Sequence, residues 1–282
     1  MVREVCFRLY EKTIQALGKR METPLTVLAA NGIKVSGVHA PEEHEAGVDE
    51  REGVMYITDQ AHVFAALQKQ GCYVLPYLHE NNRGESFPGA LYAVENLEEM
   101  DEESFDLAYR RLAGLPWEIL TTEHCAVRET TVEDVDSFYQ IYKEPSITEY
   151  MENLFADREE EIAYTRDYIE KVYAFYGYGM WTVLEKESRV VIGRAGITWR
   201  EGYDLPELGF VFGVPWQGRG YAFEVCGAIL RYAREELLMK EVQALVRPGN
   251  GRSLRLCERL GFVRRGETEL DGIKHLVFVK GL

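Results

Sequence analysis

The sequence predicts an α/β chain in two parts. A small, mostly parallel α/β domain occupies residues 1–117, and a mixed sheet flanked by helices follows over residues 118–282. Three observations carry this. The length of 282 residues exceeds the roughly 100–200 usual for one domain. Short apolar runs alternate with helix-patterned stretches through the first hundred residues, the pattern of strands and crossover helices. Further on, the stretch PWQGRGYAFEV (215–225) places two glycines around an arginine at the head of a long amphipathic segment.

In the first part, MVREVCFRLYEKTIQALGKR interleaves charged and apolar residues at helical spacing, which is the pattern of neither a signal nor a transit peptide. Residues 33–38, 54–58, 73–78 and 90–94 read as buried strands, and 61–70 as a helix stopped by Gly71. An acidic stretch then feeds a helix ending near Gly114-Leu115-Pro116, which sets the boundary near Trp117. His39, Asp59, His79, Glu80 and Asn81 fall at the strand ends, where ligands of open α/β sheets sit. The segment YITDQAHVFAALQKQGCYVLPYL resembles the later half of a haloacid-dehalogenase core, with Asp59 at that family's metal-binding acid. The family's DxD nucleophile pair is missing upstream, so phosphoryl transfer lacks its covalent step. A structural or substrate-presenting role is the favoured reading.

In the second part, strands are expected at 125–128, 181–185, 190–198, 207–214, 241–246 and around 262–265 and 275–279. Helices are expected at 132–142, 158–173 and 253–260, with another after the glycine turn. Ala222, Val225, Cys226, Ile229, Leu230, Ala233 and Leu237 follow one helical face, so that helix starts near Tyr221. The first amides of a helix have no internal partners, and the helix dipole attracts anions there. Gly218 and Gly220 leave the backbone bare, and Arg219 adds a guanidinium for a phosphate oxygen. A Walker loop would continue GK[ST], and a Rossmann fingerprint would need a third glycine; neither fits. An ordinary turn is the other reading of an isolated Gly-Arg-Gly.

The order of motifs decides between them. Gln217, Gly220 and Ala222 meet the pattern Q/R-x-x-G-x-G/A, and Asn250, Ser253 and Glu258-Arg-Leu-Gly-Phe262 follow downstream. This arrangement resembles the GCN5-related N-acetyltransferase (GNAT) family over about residues 119–282. The opening EHCAVRETTVEDVDSFYQIY is most similar to the RimJ/RimL type, which acetylates protein N-termini and small amines.

The resemblance implies acetyl-CoA as co-substrate. Its phosphates would meet Gln217, Gly218, Arg219, Gly220, Tyr221 and Ala222, with Arg252, Ser253 or Arg259 adding to the cradle. Its pantetheine arm would lie along the backbone of Phe212 and Val214 and reach Asn250. Residues 247–265 hold six arginines against one acid, Glu258, which suits phosphate as well as a solvated helix face. Glu207 resembles the glutamate that takes the amine proton in this family. Cys257 stands where many members place a tyrosine acid. A thiol can donate a proton, and small apolar packing is the alternative. No histidine lies in the motif to activate Cys257 as a nucleophile, and no ligand cluster suggests a metal.

The acceptor pocket is expected between the loop 200–206 and the aromatic segment 173–181. A carboxylate base suits an α-amine, with a reference pKa of about 7.7–8.0, better than a lysine near 10.4. The expected function is acetyl transfer from acetyl-CoA to a primary amine of a small molecule or protein N-terminus. The alternatives are a noncatalytic acyl-CoA sensor and a haloacid-dehalogenase-like phosphatase in the first part. A net charge of −15 disfavours nucleic acid and anionic membranes as partners. No uncharged run approaches the ~18 residues of a membrane span. Five scattered cysteines without a CxxC pair point to reduced thiols in the cytoplasm. Oligomeric state is left open.

Overall fold

Val5, Cys6 and Phe7 are buried in succession, as expected of a strand covered on both faces. They belong to β1 (Glu4–Arg8). This corrects the helical reading of the N-terminal stretch. Helical spacing arose there from running a strand into α1 (Glu11–Leu17) across Leu9 and Tyr10. The computed structural model describes residues 1–37 and 52–282, so His39 and the end of the expected strand 33–38 lie outside the described residues. Two units are distinguished, Met1–Trp117 and Glu118–Leu282.

The first unit continues with α2 (Glu22–Ala30), β2 (Lys34–Ser36), β3 (Val54–Thr58), α3 (Ala61–Lys69), β4 (Tyr73–Pro76) and α4 (Glu102–Leu112). Among the described residues its strand pairs are all parallel, in the order β2-β1-β3-β4. The expected strand at 90–94 is a single bridge, Tyr77 to Val94. The core gathers Val5, Phe7, Leu28, Met55, Ile57, Leu97 and Phe105.

The second unit runs β5 (Glu118–Thr121), β6 (Cys125–Arg128), α5 (Val135–Tyr142), α6 (Pro145–Thr148), α7 (Arg158–Tyr168), α8 (Ala174–Tyr176), β7 (Met180–Glu185), β8 (Val191–Thr198) and β9 (Glu207–Phe212). It continues with α9 (Tyr221–Glu235), β10 (Glu241–Val246), α10 (Gly251–Arg259), β11 (Val263–Leu270) and β12 (Ile273–Gly281). The sheet order is β11-β12-β10-β9-β8-β7-β6-β5. Among the described residues its only parallel pair is β9 with β10. The expected helix 158–173 holds α geometry to Tyr168, then widens into a π turn over Ile169–Tyr173. Tyr173 is thereby buried, and its hydroxyl donates to the Met180 carbonyl. Under the sheet, α9 packs Val225, Cys226, Ile229 and Ala233 against Trp181, Ile192, Ala195 and Ile197.

Candidate functional site

The register of β9 with β10 consists of one pair, Glu207 with Gln243. Beyond it the two parallel strands part. Gly213 N–H donates to the Ile192 carbonyl at 2.9 Å, so odd-numbered β9 residues bond to β8. Leu208, Phe210 and Phe212 then turn their backbone groups toward the opening. Pro206, of the same parity, accepts from Gln243 N–H across that side at 2.8 Å. This edge is the place for an added extended segment. Val214 is not on it. The strand stops at Phe212, and Val214–Trp216 forms a 3-10 turn where Pro215 has no N–H to continue a ladder. That corrects the expected strand end at 214.

At the carboxyl end of β9 the chain turns through Gly218 (φ 73°) and Gly220 (φ 94°), left-handed backbone that glycine adopts without penalty. Gly220 caps α9, and the first bond of the helix is Glu224 N–H to the Gly220 carbonyl at 3.0 Å. The amides of Tyr221, Ala222 and Phe223 meet no acceptor among the described residues, leaving three donors at the positive end of a fifteen-residue helix. A Cβ built on Gly218 or Gly220 would meet nothing within 4 Å. The glycines border open space, as a phosphate cradle requires. Arg219 lies over the rings of Trp216 and Tyr221, 5.1 and 5.2 Å from their centroids. The Tyr221 ring is buried beneath Arg219, and its amide is one of the three open donors.

Gln217 is a brace. Its Nε2 donates to the Phe212 carbonyl at 2.7 Å, and its Oε1 accepts from Arg252 of α10. Both ends of the side-chain amide are thus used within the protein, tying the strand end to the second helix. Asn250 caps α10 by accepting from Ser253 N–H at 3.2 Å. Arg259 stacks on Phe223 of α9, 4.4 Å from the ring centroid. The N-termini of α9 and α10 therefore follow the carboxyl ends of the two parting strands, where open α/β sheets place their ligands.

Glu207 sits at the other end of β9, roughly 17 Å away along a strand. It is 8% exposed, and its Oε2 accepts from Arg200 Nε at 2.7 Å. Period-two alternation puts Gly209 on its face, where a Cβ would stand 2.9 Å from Met180 Sδ. On β8, opposite Gly209, Gly196 is crossed by the Gly179 carbonyl so closely that no side chain fits. The segment 177–180 thus passes over a floor of two glycines, and Trp199 Nε1 donates to the Tyr178 hydroxyl at 2.5 Å. The aromatic segment and the start of the 200–206 loop meet beside Glu207.

Cys257 is fully buried in the core with Cys226 and Val225. Desolvation pushes its thiol up to about 12. Such a group neither reaches a ligand nor gives up a proton readily, which corrects the expectation that it could donate one.

Asp59 and His79 come together at the strand ends of the first unit. The buried Asp59 carboxylate accepts from Tyr10 N–H at 2.9 Å, Thr13 Oγ1 at 2.5 Å and His79 Nε2 at 3.1 Å. His79 Nδ1 accepts from Asn81 N–H at 3.2 Å, which leaves Nε2 holding the proton. Neither ring nitrogen is free to act as a base, and the carboxylate is closed by three donors. Full-length protein with magnesium and a generic phosphate ester is expected to show no turnover that Asp59→Asn removes; a phosphatase rate lost in that variant would contradict it.

Comparison with known proteins follows the same division. Residues 125–263 match the acetyltransferase (GNAT) domain family. The second unit belongs to the GNAT family of acetyltransferases. Among curated relatives, an uncharacterized N-acetyltransferase, p20, from Bacillus licheniformis is 28% identical over 154 residues, covering 53% of this chain and 84% of its own. The [ribosomal protein uS5]-alanine N-acetyltransferase of Escherichia coli is 36% identical over 93 residues, 33% of this chain and 47% of its own. An acetyltransferase structure from Agrobacterium tumefaciens aligns with a TM-score of 0.50 at 23% identity, covering 57% of this chain and 92% of that one, a likeness of fold.

Sequence reasoning missed two features of this site. The Gln217–Arg252 brace joins residues 35 positions apart, and no local pattern marks it. The Gly196–Gly209 floor was signalled only by glycines inside apolar strands, a known mark of close backbone approach.

Proposed function

We propose that the second unit, read as a GNAT domain following a small α/β domain, transfers the acetyl group of acetyl-CoA to a primary amine, with Glu207 as general base. The observation that carries this is the parting of β9 from β10 after one register pair. It creates an open strand edge with a buried carboxylate at one end and unpaired helix amides at the other.

In this reading, acetyl-CoA supplies a thioester already activated toward amines. Gly218 to Phe223 hold its phosphates through backbone N–H groups, with Arg219 adding charge. Phe210, with the Leu208 carbonyl and Phe212 N–H, offers strand-like backbone bonds to the pantetheine amides, the Phe212 carbonyl being held by Gln217. Gln217 and Arg252 act by fixing the turn, and Asn250 and Ser253 by starting α10. Glu207 takes the proton that an ammonium must lose before its nitrogen has a lone pair. Cys257 contributes packing, so another group or water protonates the departing thiolate. The name of the Escherichia coli relative, which acts on an alanine of a ribosomal protein, supports an α-amine acceptor. None of the five cysteines is in a disulfide, which supports a reducing, cytoplasmic setting.

Free-thiol release from acetyl-CoA in the presence of an amine panel tests the function. Release that rises with one class of amine supports the transferase. Binding of acetyl-CoA with no release for any amine would favour the sensor reading instead. For the cradle, Arg219→Ala is expected to remove a charge-assisted contact of about 1.5–3 kcal/mol, roughly 10–150-fold in Kd. Calorimetric titration checks it, and an unchanged Kd in both Arg219→Ala and Gly220→Val would put the phosphates elsewhere.

A further inference from the structure

Arg200 does more than neutralise Glu207. Its guanidinium donates through Nε to Glu207 Oε2 at 2.7 Å, and neither terminal nitrogen meets a partner among the described residues. Its side chain is 41% exposed while that of Glu207 is 11% exposed, so the terminal nitrogens are open to an approaching molecule and the carboxylate is nearly covered. The position is held from both sides. Trp199 is tied to Tyr178, and the Tyr203 hydroxyl lies 2.9 Å from Thr268 Oγ1 of β11. The intervening turn, with Gly202 at φ 83°, presents Arg200 at the mouth beside the carboxylate.

A carboxylate and a fork of free N–H donors side by side match a ligand with an amine and a carbonyl oxygen on adjacent atoms. Glu207 faces the ammonium; the Nη groups, which can only donate, face an oxygen acceptor. We infer that Arg200 binds the carbonyl oxygen next to the reacting nitrogen and so selects α-amines over plain alkylamines and lysine side chains. A peptide N-terminus and a free amino acid both carry that group, one as an amide carbonyl and the other as a carboxylate. This inference rests on the amine-transfer reading above. It adds the residue that reads the α-amine and the atom of the acceptor that it reads.

The test compares wild type with Arg200→Gln on three acceptors: an alanine tripeptide with a free α-amine, free alanine, and isopropylamine, in which a methyl replaces the carbonyl carbon. Comparing variant with wild type on each acceptor cancels differences in amine basicity. The expected result is a fall in kcat/KM of roughly 10–150-fold, the loss of one charge-assisted contact, for the tripeptide or for alanine. It should lie mainly in KM, with isopropylamine changed by less than about threefold. The arm that suffers the larger loss tells an amide carbonyl from a carboxylate. Equal losses on all three acceptors, or a fall in kcat at constant KM, would assign Arg200 only to holding Glu207 and would overturn the inference with amine transfer intact. No loss on any acceptor overturns it as well. Wild-type protein that binds acetyl-CoA yet acetylates none of the three removes the transferase reading and this inference together.

Discussion

Replacing Glu207 with glutamine is expected to cut turnover by about 10²–10⁴-fold, the usual contribution of a general base, while acetyl-CoA affinity is retained. Glutamine keeps the shape of the side chain and can still accept from Arg200, whose Nε donates to Oε2, but it cannot take a proton. The phosphate cradle lies at the opposite end of β9, so the two properties separate. The pH profile supplies an independent reading. An acceptor amine loses its own proton in solution as pH rises, near 7.7–8.0 for an α-amine and 10.4 for a lysine, and above that point the missing base matters less. Activity of the variant should therefore recover with rising pH, most for the acceptor of lowest pKa. Steady-state turnover against pH, with one identified acceptor, is the measurement. A variant within about threefold of wild type throughout, far short of a general-base effect, would remove Glu207 from the chemistry.

The second large effect falls on stability. Asp134 is 3% exposed and receives Arg128 in a two-pronged pair, Nη1 to Oδ2 and Nη2 to Oδ1, both at 2.7 Å. Thr131 N–H and Thr182 Oγ1 add donors to Oδ2, each at 2.9 Å. This carboxylate joins β6, β7 and the entry to α5, and so anchors the helix beneath which β8 and β9 run. Asp134→Ala would leave a largely buried guanidinium without its charge partner and Thr131 N–H without its acceptor, while Arg128 Nη1 keeps the Glu129 carbonyl and Thr182 Oγ1 keeps Thr130 Oγ1. Breaking a buried pair from one side costs about 3–5 kcal/mol, which lowers the Tm of a unit this size by on the order of 10 °C. Thermal unfolding followed by circular dichroism checks it. A shift below about 2 °C, under 1 kcal/mol on that scale, would mean the network is hydrated and of little weight.

Most helices and strands of the second unit follow their sequence patterns within a few residues. Their signals are local: α9 starts at Tyr221 because Gly220 can cap it and apolar residues recur on one face. The first unit was harder. Its central strand, β1, is a three-residue apolar core bounded by Glu4 and Arg8, too short for period alone to distinguish it from the helix that follows.

By itself the sequence determined the turn of Gly218 and Gly220, the helix it opens, and hence where unpaired amides gather, because positive φ at the glycines and the start of the apolar face are set by contiguous residues, even though the brace from Arg252 to Gln217 comes from far along the chain. Only the tertiary structure decided three other matters. Cys257 looks chemically available in sequence, but packing against α9 buries it and pushes its thiol up to about 12. Asp134 looks like one acid among many until β6 and β7 bring Arg128 and Thr182 to it. Glu207 and Arg200 are paired by the turn that returns β8 into β9. Backbone turns are fixed by the conformational limits of the residues that form them. Burial and pairing are fixed by chain segments far apart in sequence, and those meet only when the sheet closes.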